Sequence, residues 1–227
     1  PAFKNIVGDA SIQFKLAKND PFGNPTNGII HTQTNVKHFG GILPYDQSQQ
    51  TEIMSWVNDS FYINLGRLSK TSEGGSNAWD PSRYLNIWIG DLRIFEPKFN
   101  NFEELVFFAL ATPPSGLENW SSFEGLDEYL LALNDGIIMH YNVVGPNNPS
   151  KFPAPYNAYN GLVTEGKLLV HEAGHYLGLR HIWGDGDCSL DDYIDDTPRA
   201  NNHSQYSCNS MMNSCLDTIE NKDLPNM

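Results

Sequence analysis

The feature that most restricts this chain is the run His171-Glu-Ala-Gly-His-Tyr-Leu-Gly-Leu-Arg-His181. Residues four apart lie about 40° apart around a helix, so His171 and His175 stand one turn apart on one face and can aim both imidazoles at one ion. His181, six residues further on, falls on the wrong side of a continuous helix. The chain must therefore turn sharply between 175 and 181, and Gly178 permits that turn, because glycine enters the left-handed region without a Cβ penalty. Three neutral imidazoles with one open position describe a catalytic zinc site, whereas structural sites are closed by four protein ligands. Zinc lowers the pKa of water in the open position towards about 7, and Glu172, beside the first ligand, can accept its proton as general base. A bare H-E-x-x-H on an amphipathic helix can be an accident, but three His, a Glu and a Gly in register make accident the minor reading.

The surrounding sequence predicts how that segment is held. A helix is expected from near Thr164, as N-cap, with Glu165 in the first turn, where the helix dipole favours an acid. Leu169, Ala173 and Tyr176 follow i, i+4, i+7 and form its buried stripe. Upstream, Ile12, Phe14 and Leu16 alternate within residues 10–17, which predicts a strand, with a hairpin to the extended piece 28–34 across a stretch dense in turn formers. Strands are also expected at 84–89 and 136–145, and at Phe107 to Thr112, where Pro113 and Pro114 place the segment on a sheet edge. Residues 115–134 read as a more helical insertion.

Net charge excludes some partners. Fourteen Lys and Arg against 27 Asp and Glu leave −13 at pH 7, so a nucleic-acid backbone or an anionic membrane surface would repel the chain. No apolar run is long enough to span a bilayer, and membrane insertion is not expected. Cys188, Cys208 and Cys215 share one Asp- and Asn-rich segment without a C-x-x-C pair, which argues against a thiolate zinc site. In an oxidising compartment two would pair, leaving one free or bonded to a cysteine outside this chain. His31, His38, His140 and His203 match no ligand spacing and read as structural or surface residues.

The long histidine signature resembles that of the metzincin zinc peptidases. With His181-Ile-Trp, a following Gly-Asp-Cys and Asp195-Asp-Thr-Pro198, it is most similar to the pappalysin, ulilysin-like family. Residues 10–17 and 85–89 carry the resemblance upstream. It implies an α+β metzincin (zincin-like) catalytic domain over 1–227. Its upper part, about 1–178, holds a twisted mixed sheet and the active-site helix, and an irregular lower part begins at about 179–227. It implies a secreted zinc endopeptidase that binds a protein or peptide substrate extended in the cleft, with His171, His175 and His181 on zinc and Glu172 catalytic. It also implies a Cys188–Cys215 disulfide, and structural calcium held by Asp192, the segment around Asp195, and Thr197; a solvated acidic loop is the plainer reading of those residues. The family's Met-turn is not found, and the sequence is expected to end short of it, with Cys208 seeking a partner beyond the last residue and an opening strand and helix absent at the N-terminus. Two rival readings follow: a zinc-binding but catalytically incomplete fragment, and a calcium-dependent interaction module with a vestigial site.

Overall fold

The computed structural model describes residues 10–42, 65–98, 101–114, 135–154, 156–161, 166–184, 187–195, 197–201 and 214–215. Two three-stranded sheets, one α-helix and four short 3-10 helices make up the regular structure of these residues. The strands are β1 (Phe39–Ile42), β2 (Asn86–Gly90), β3 (Leu92–Lys98), β4 (Asn101–Val106), β5 (Ala109–Ala111) and β6 (Gly136–His140), and the helix α1 is Lys167–Tyr176. In the first sheet, ordered β1-β3-β4, β1 and β3 run parallel, with Gly40 opposite Arg93, and β3 and β4 antiparallel. In the second, ordered β2-β6-β5, β6 runs parallel to β2 in the register Trp88 to Ile138 and antiparallel to β5 in the register Leu110 to Ile138.

β6 is central to its sheet, and every one of its residues is buried. A strand covered on both faces needs apolar side chains in both directions, and Ile137, Ile138 and Met139 supply them. Ile138 points into a cluster with Phe39, Leu65, Leu68, Trp88 and Leu92, which joins the two sheets. The Trp88 indole N–H is satisfied there by the Ser76 carbonyl at 2.7 Å. Ile137 and Met139 point the other way, into a cluster with Ala111, Val143 and Phe152, against which Leu168, Leu169, Ala173 and Tyr176 of α1 pack. The predicted apolar stripe is thus the face that seats the helix on β5 and β6.

A polar joint supplements this packing. Asp91, the single residue between β2 and β3, accepts from Arg93 Nε at 2.5 Å and lies 3.1 Å from His38 Nδ1. Burial pushes its carboxyl up, but Arg93 and His38 outweigh that and hold it below the usual range. His140, fully buried, accepts the Asn142 N–H on Nδ1, which leaves Nε2 as the protonated nitrogen 3.3 Å from Asp91 Oδ1.

Several expectations change in detail. Residues 10–17 form no ladder, and Ile12, Phe14 and Leu16 are exposed; alternation without a paired neighbour does not make a strand. The expected hairpin reduces to an isolated bridge between Asn19 and Pro25, around a turn in which Asp20 accepts the Asn24 N–H. The strand read over 136–145 stops at His140 and passes into a single 3-10 turn, Tyr141–Val143. The helix begins at Lys167, because Gly166 before it adopts φ 80°, outside helical backbone. Thr164, Glu165 and the insertion at 115–134 lie outside the described residues.

Candidate metal centre

The site is built by the way α1 ends. Leu177 N–H bonds to the Ala173 carbonyl at 3.0 Å, Gly178 N–H to His175 at 2.9 Å, and Leu179 N–H to Gly174 at 2.9 Å. The last two bonds make a Schellman cap, with Gly178 left-handed at φ 100°. The Leu179 side chain folds back over Gly174, where a Cβ would meet it at 3.5 Å. This reversal carries His181 from the wrong side of the helix back towards His171 and His175.

The three imidazoles converge. His175 Nε2 lies 3.0 Å from His171 Nε2 and 3.2 Å from His181 Nε2, and one ring nitrogen of each residue lies within 4.8 Å of the other two. Nitrogens bound at about 2.0–2.1 Å around a tetrahedral zinc stand about 3.3 Å apart, so the spacing fits that ion. The donor set fits as well. His175 Nδ1 donates to the Leu179 carbonyl at 2.7 Å, which leaves its Nε2 lone pair for a metal. Among the described residues, this is the group of histidine, cysteine or carboxylate side chains whose ligand atoms gather in this way.

Glu172 projects from α1 into the side occupied by β5. It is 6% exposed, and burial pushes its carboxyl up to about 7, against the pull of a hydrogen bond from the Ala111 backbone. The ladder explains why Ala111 is available. Thr112 N–H donates to the Gly136 carbonyl at 2.9 Å, and His140 N–H to Phe108 at 2.7 Å. Residues 108, 110 and 112 therefore bond to β6, while the backbone groups of Ala109 and Ala111 face away from it. Among the described residues β5 is an edge strand, as Pro113 and Pro114 suggested, and its outer edge lies next to the Glu172 carboxylate.

The segment after His181 is irregular and cross-linked. Cys188 and Cys215 are joined by a disulfide, their Cα atoms 5.5 Å apart, while Cys208 lies outside the described residues. Arg199 bonds to the Cys188 carbonyl and pairs with Asp191 at 3.2 Å. Asp192 is buried, which pushes its carboxyl up, and it accepts from the Ile194 N–H at 3.0 Å and from Thr197. The structure thus brings Asp192 and Thr197 together and leaves Asp195 exposed on a cavity of about 580 Å³ shared with Thr197 and Arg199. Three contributors escape a reading by residue type: the Leu179 carbonyl, the Ala111 N–H and the Trp183 ring. The signals available for them were the position after Gly178, the edge placement of β5, and an aromatic residue two places beyond His181.

The chain is similar to known metalloproteases. The family model for M43 peptidases, described as pregnancy-associated plasma protein-A, matches residues 134–224. The chain is similar to an extracellular metalloprotease of Arthroderma otae, 37% identical over 68 residues, which cover 29% of this chain and 22% of that protein. For an extracellular metalloprotease of Arthroderma gypseum the identity is 33% over 96 residues, 39% of this chain and 29% of that protein. Among solved structures, mirolysin in complex with compound 9 superposes with a TM-score of 0.61 at 30% identity, covering 99% of this chain and 67% of that one. Tannerella forsythia mature mirolysin in complex with a cleaved peptide gives 0.60 at 29%, covering 100% and 64%. The matches span less than a third of these curated metalloproteases and about two thirds of the mirolysin chains.

Gly178→Ala should destabilise the chain by about 1–2 kcal/mol, since a Cβ is strained in left-handed backbone. It should also lower zinc uptake by displacing His181. Urea denaturation and zinc analysis of the same preparation check both effects; unchanged zinc uptake would mean that the cap does not position the third histidine.

Proposed function

Because this chain belongs to the pappalysin family of metzincin metallopeptidases, we propose that it is a zinc-dependent endopeptidase with Glu172 as its general base. The observation that carries the proposal is the convergence of the His171, His175 and His181 Nε2 atoms, with the buried carboxylate of Glu172 next in sequence to the first of them. Zinc held by those atoms would supply Lewis acidity to polarise a peptide carbonyl and acidify water. Glu172 takes the proton of the attacking water and gives it to the departing amine. Burial favours the protonated form of this carboxyl, which helps it take a proton from water. The Ala111 bond orients that carboxylate.

Substrate lies extended along β5. The outward N–H and C=O of Ala109 are free of β6 and offer an incoming peptide one step of an antiparallel ladder. The solved mirolysin complex with a cleaved peptide supports a peptide as the occupant. The disulfide and the relatives named extracellular support action outside the cell. Calcium bound near Asp192, Asp195 and Thr197 completes the reading; millimolar calcium should raise the melting temperature, and no shift would remove calcium from it.

Glu172→Ala should abolish cleavage of a quenched peptide while zinc stays bound. Cleavage that survives would exclude Glu172 as the base, and a wild-type chain carrying zinc yet inert on peptides and gelatin would favour the incomplete-fragment reading. Ala109→Pro removes one outward N–H without touching the bonds to β6. It should raise KM roughly 5- to 10-fold, the effect of about 1 kcal/mol for one hydrogen bond. An unchanged KM would take the substrate off this edge.

A further inference from the structure

We infer that Trp183 is a positioning residue for the third zinc ligand, its indole face fixing the ring plane of His181. The inference rests on the zinc reading above. His171 and His175 leave a regular helix, whose backbone limits their rotamers. His181 lies beyond the cap, on irregular backbone, where no helix restrains its ring. A ligand must be held to within a few tenths of an ångström and roughly 10–20° if it is to meet an ion without reorganisation.

The indole supplies that restraint. The His181 and Trp183 rings are stacked, with centroids 4.2 Å apart and planes 10° from parallel. Local backbone makes the stack. The Gly184 N–H bonds to the His181 carbonyl at 2.9 Å, closing a tight turn that folds Trp183 back over His181. Gly184 is left-handed at φ 59°, and a Cβ there would come within 2.6 Å of the Asp191 backbone nitrogen. The turn therefore depends on glycine and is backed by the loop behind it. Arg180, on the other side of His181, extends over the Tyr193 ring at 5.1 Å and reaches the Asp191 carbonyl at 3.5 Å.

The stack should also be stronger with metal than without. An imidazole that donates to a dication carries partial positive charge, and the indole face is the best aromatic surface for positive charge. The contact thus favours the bound state of His181, as outer-shell hydrogen bonds do for other histidine ligands.

The test compares the whole chain with Trp183→Leu and Trp183→Phe. Zinc affinity is measured by chelator competition, and the visible spectrum is recorded after substitution with cobalt(II). Far-UV circular dichroism and the melting temperature of the metal-free proteins report folding. Trp183→Leu should weaken zinc binding roughly 10- to 100-fold, with an altered cobalt spectrum and metal-free folding unchanged. Trp183→Phe, which keeps a flat aromatic face, should restore affinity to within about threefold of wild type and keep the cobalt spectrum. Wild-type affinity in the leucine variant would overturn the inference and leave the zinc reading standing. Equal losses in both variants, matched by a fall in metal-free melting temperature, would also overturn it, because the indole would then act only as bulk. A wild-type chain that takes up no zinc would overturn the zinc reading and this inference with it.

Discussion

Everything distinctive about this chain depends on three imidazole nitrogens meeting at one point, and that meeting depends on how α1 stops. Two of the nitrogens come from consecutive helical turns. The third arrives only because Gly178 takes left-handed backbone and Leu179 bonds back to Gly174. The same reversal presents the Leu179 carbonyl to His175 Nδ1, so one cap both returns the chain and selects the tautomer of a ligand. A helix running one turn further would lose the third ligand and the orientation of the second together.

The sheet serves this arrangement from below. β6 is apolar on both faces; one face joins the two sheets, and the other seats α1 through Leu169, Ala173 and Tyr176. Seating the helix there brings Glu172 against β5, where the carboxylate loses water and receives the Ala111 N–H. The proposed general base is thus raised by the packing that fixes the helix, and it lies beside the strand edge on which a peptide would lie.

The sequence is legible where the chemistry is local. Histidine spacing and the need for glycine at 178 are properties of a few neighbouring residues, and the structure has them as read; the apolar stripe of α1 packs on the sheet but is half-buried, and the buried residue of the helix is Glu172. The edge position of β5 was legible because two prolines cannot extend a ladder. The start of α1 was not, since Gly166 could equally have continued the helix, and only its left-handed backbone ends that option. Nor was the fate of residues 10–17: Ile12, Phe14 and Leu16 have strand alternation, yet a strand exists only where a neighbour offers its hydrogen bonds. The Ala111 bond and the stack of Trp183 on His181 left only indirect signals, the edge placement of β5 and an aromatic residue two places beyond His181. Both contacts are set by tertiary placement and ring orientation, which residue type does not encode.

The central claim is that His171, His175 and His181 hold one zinc through Nε2. X-ray absorption at the zinc edge on the purified, zinc-loaded chain tests it most directly. Three imidazole nitrogens and one oxygen at about 2.0–2.1 Å are expected. Sulfur scattering at about 2.3 Å, or a first shell with fewer than three imidazoles, would contradict it.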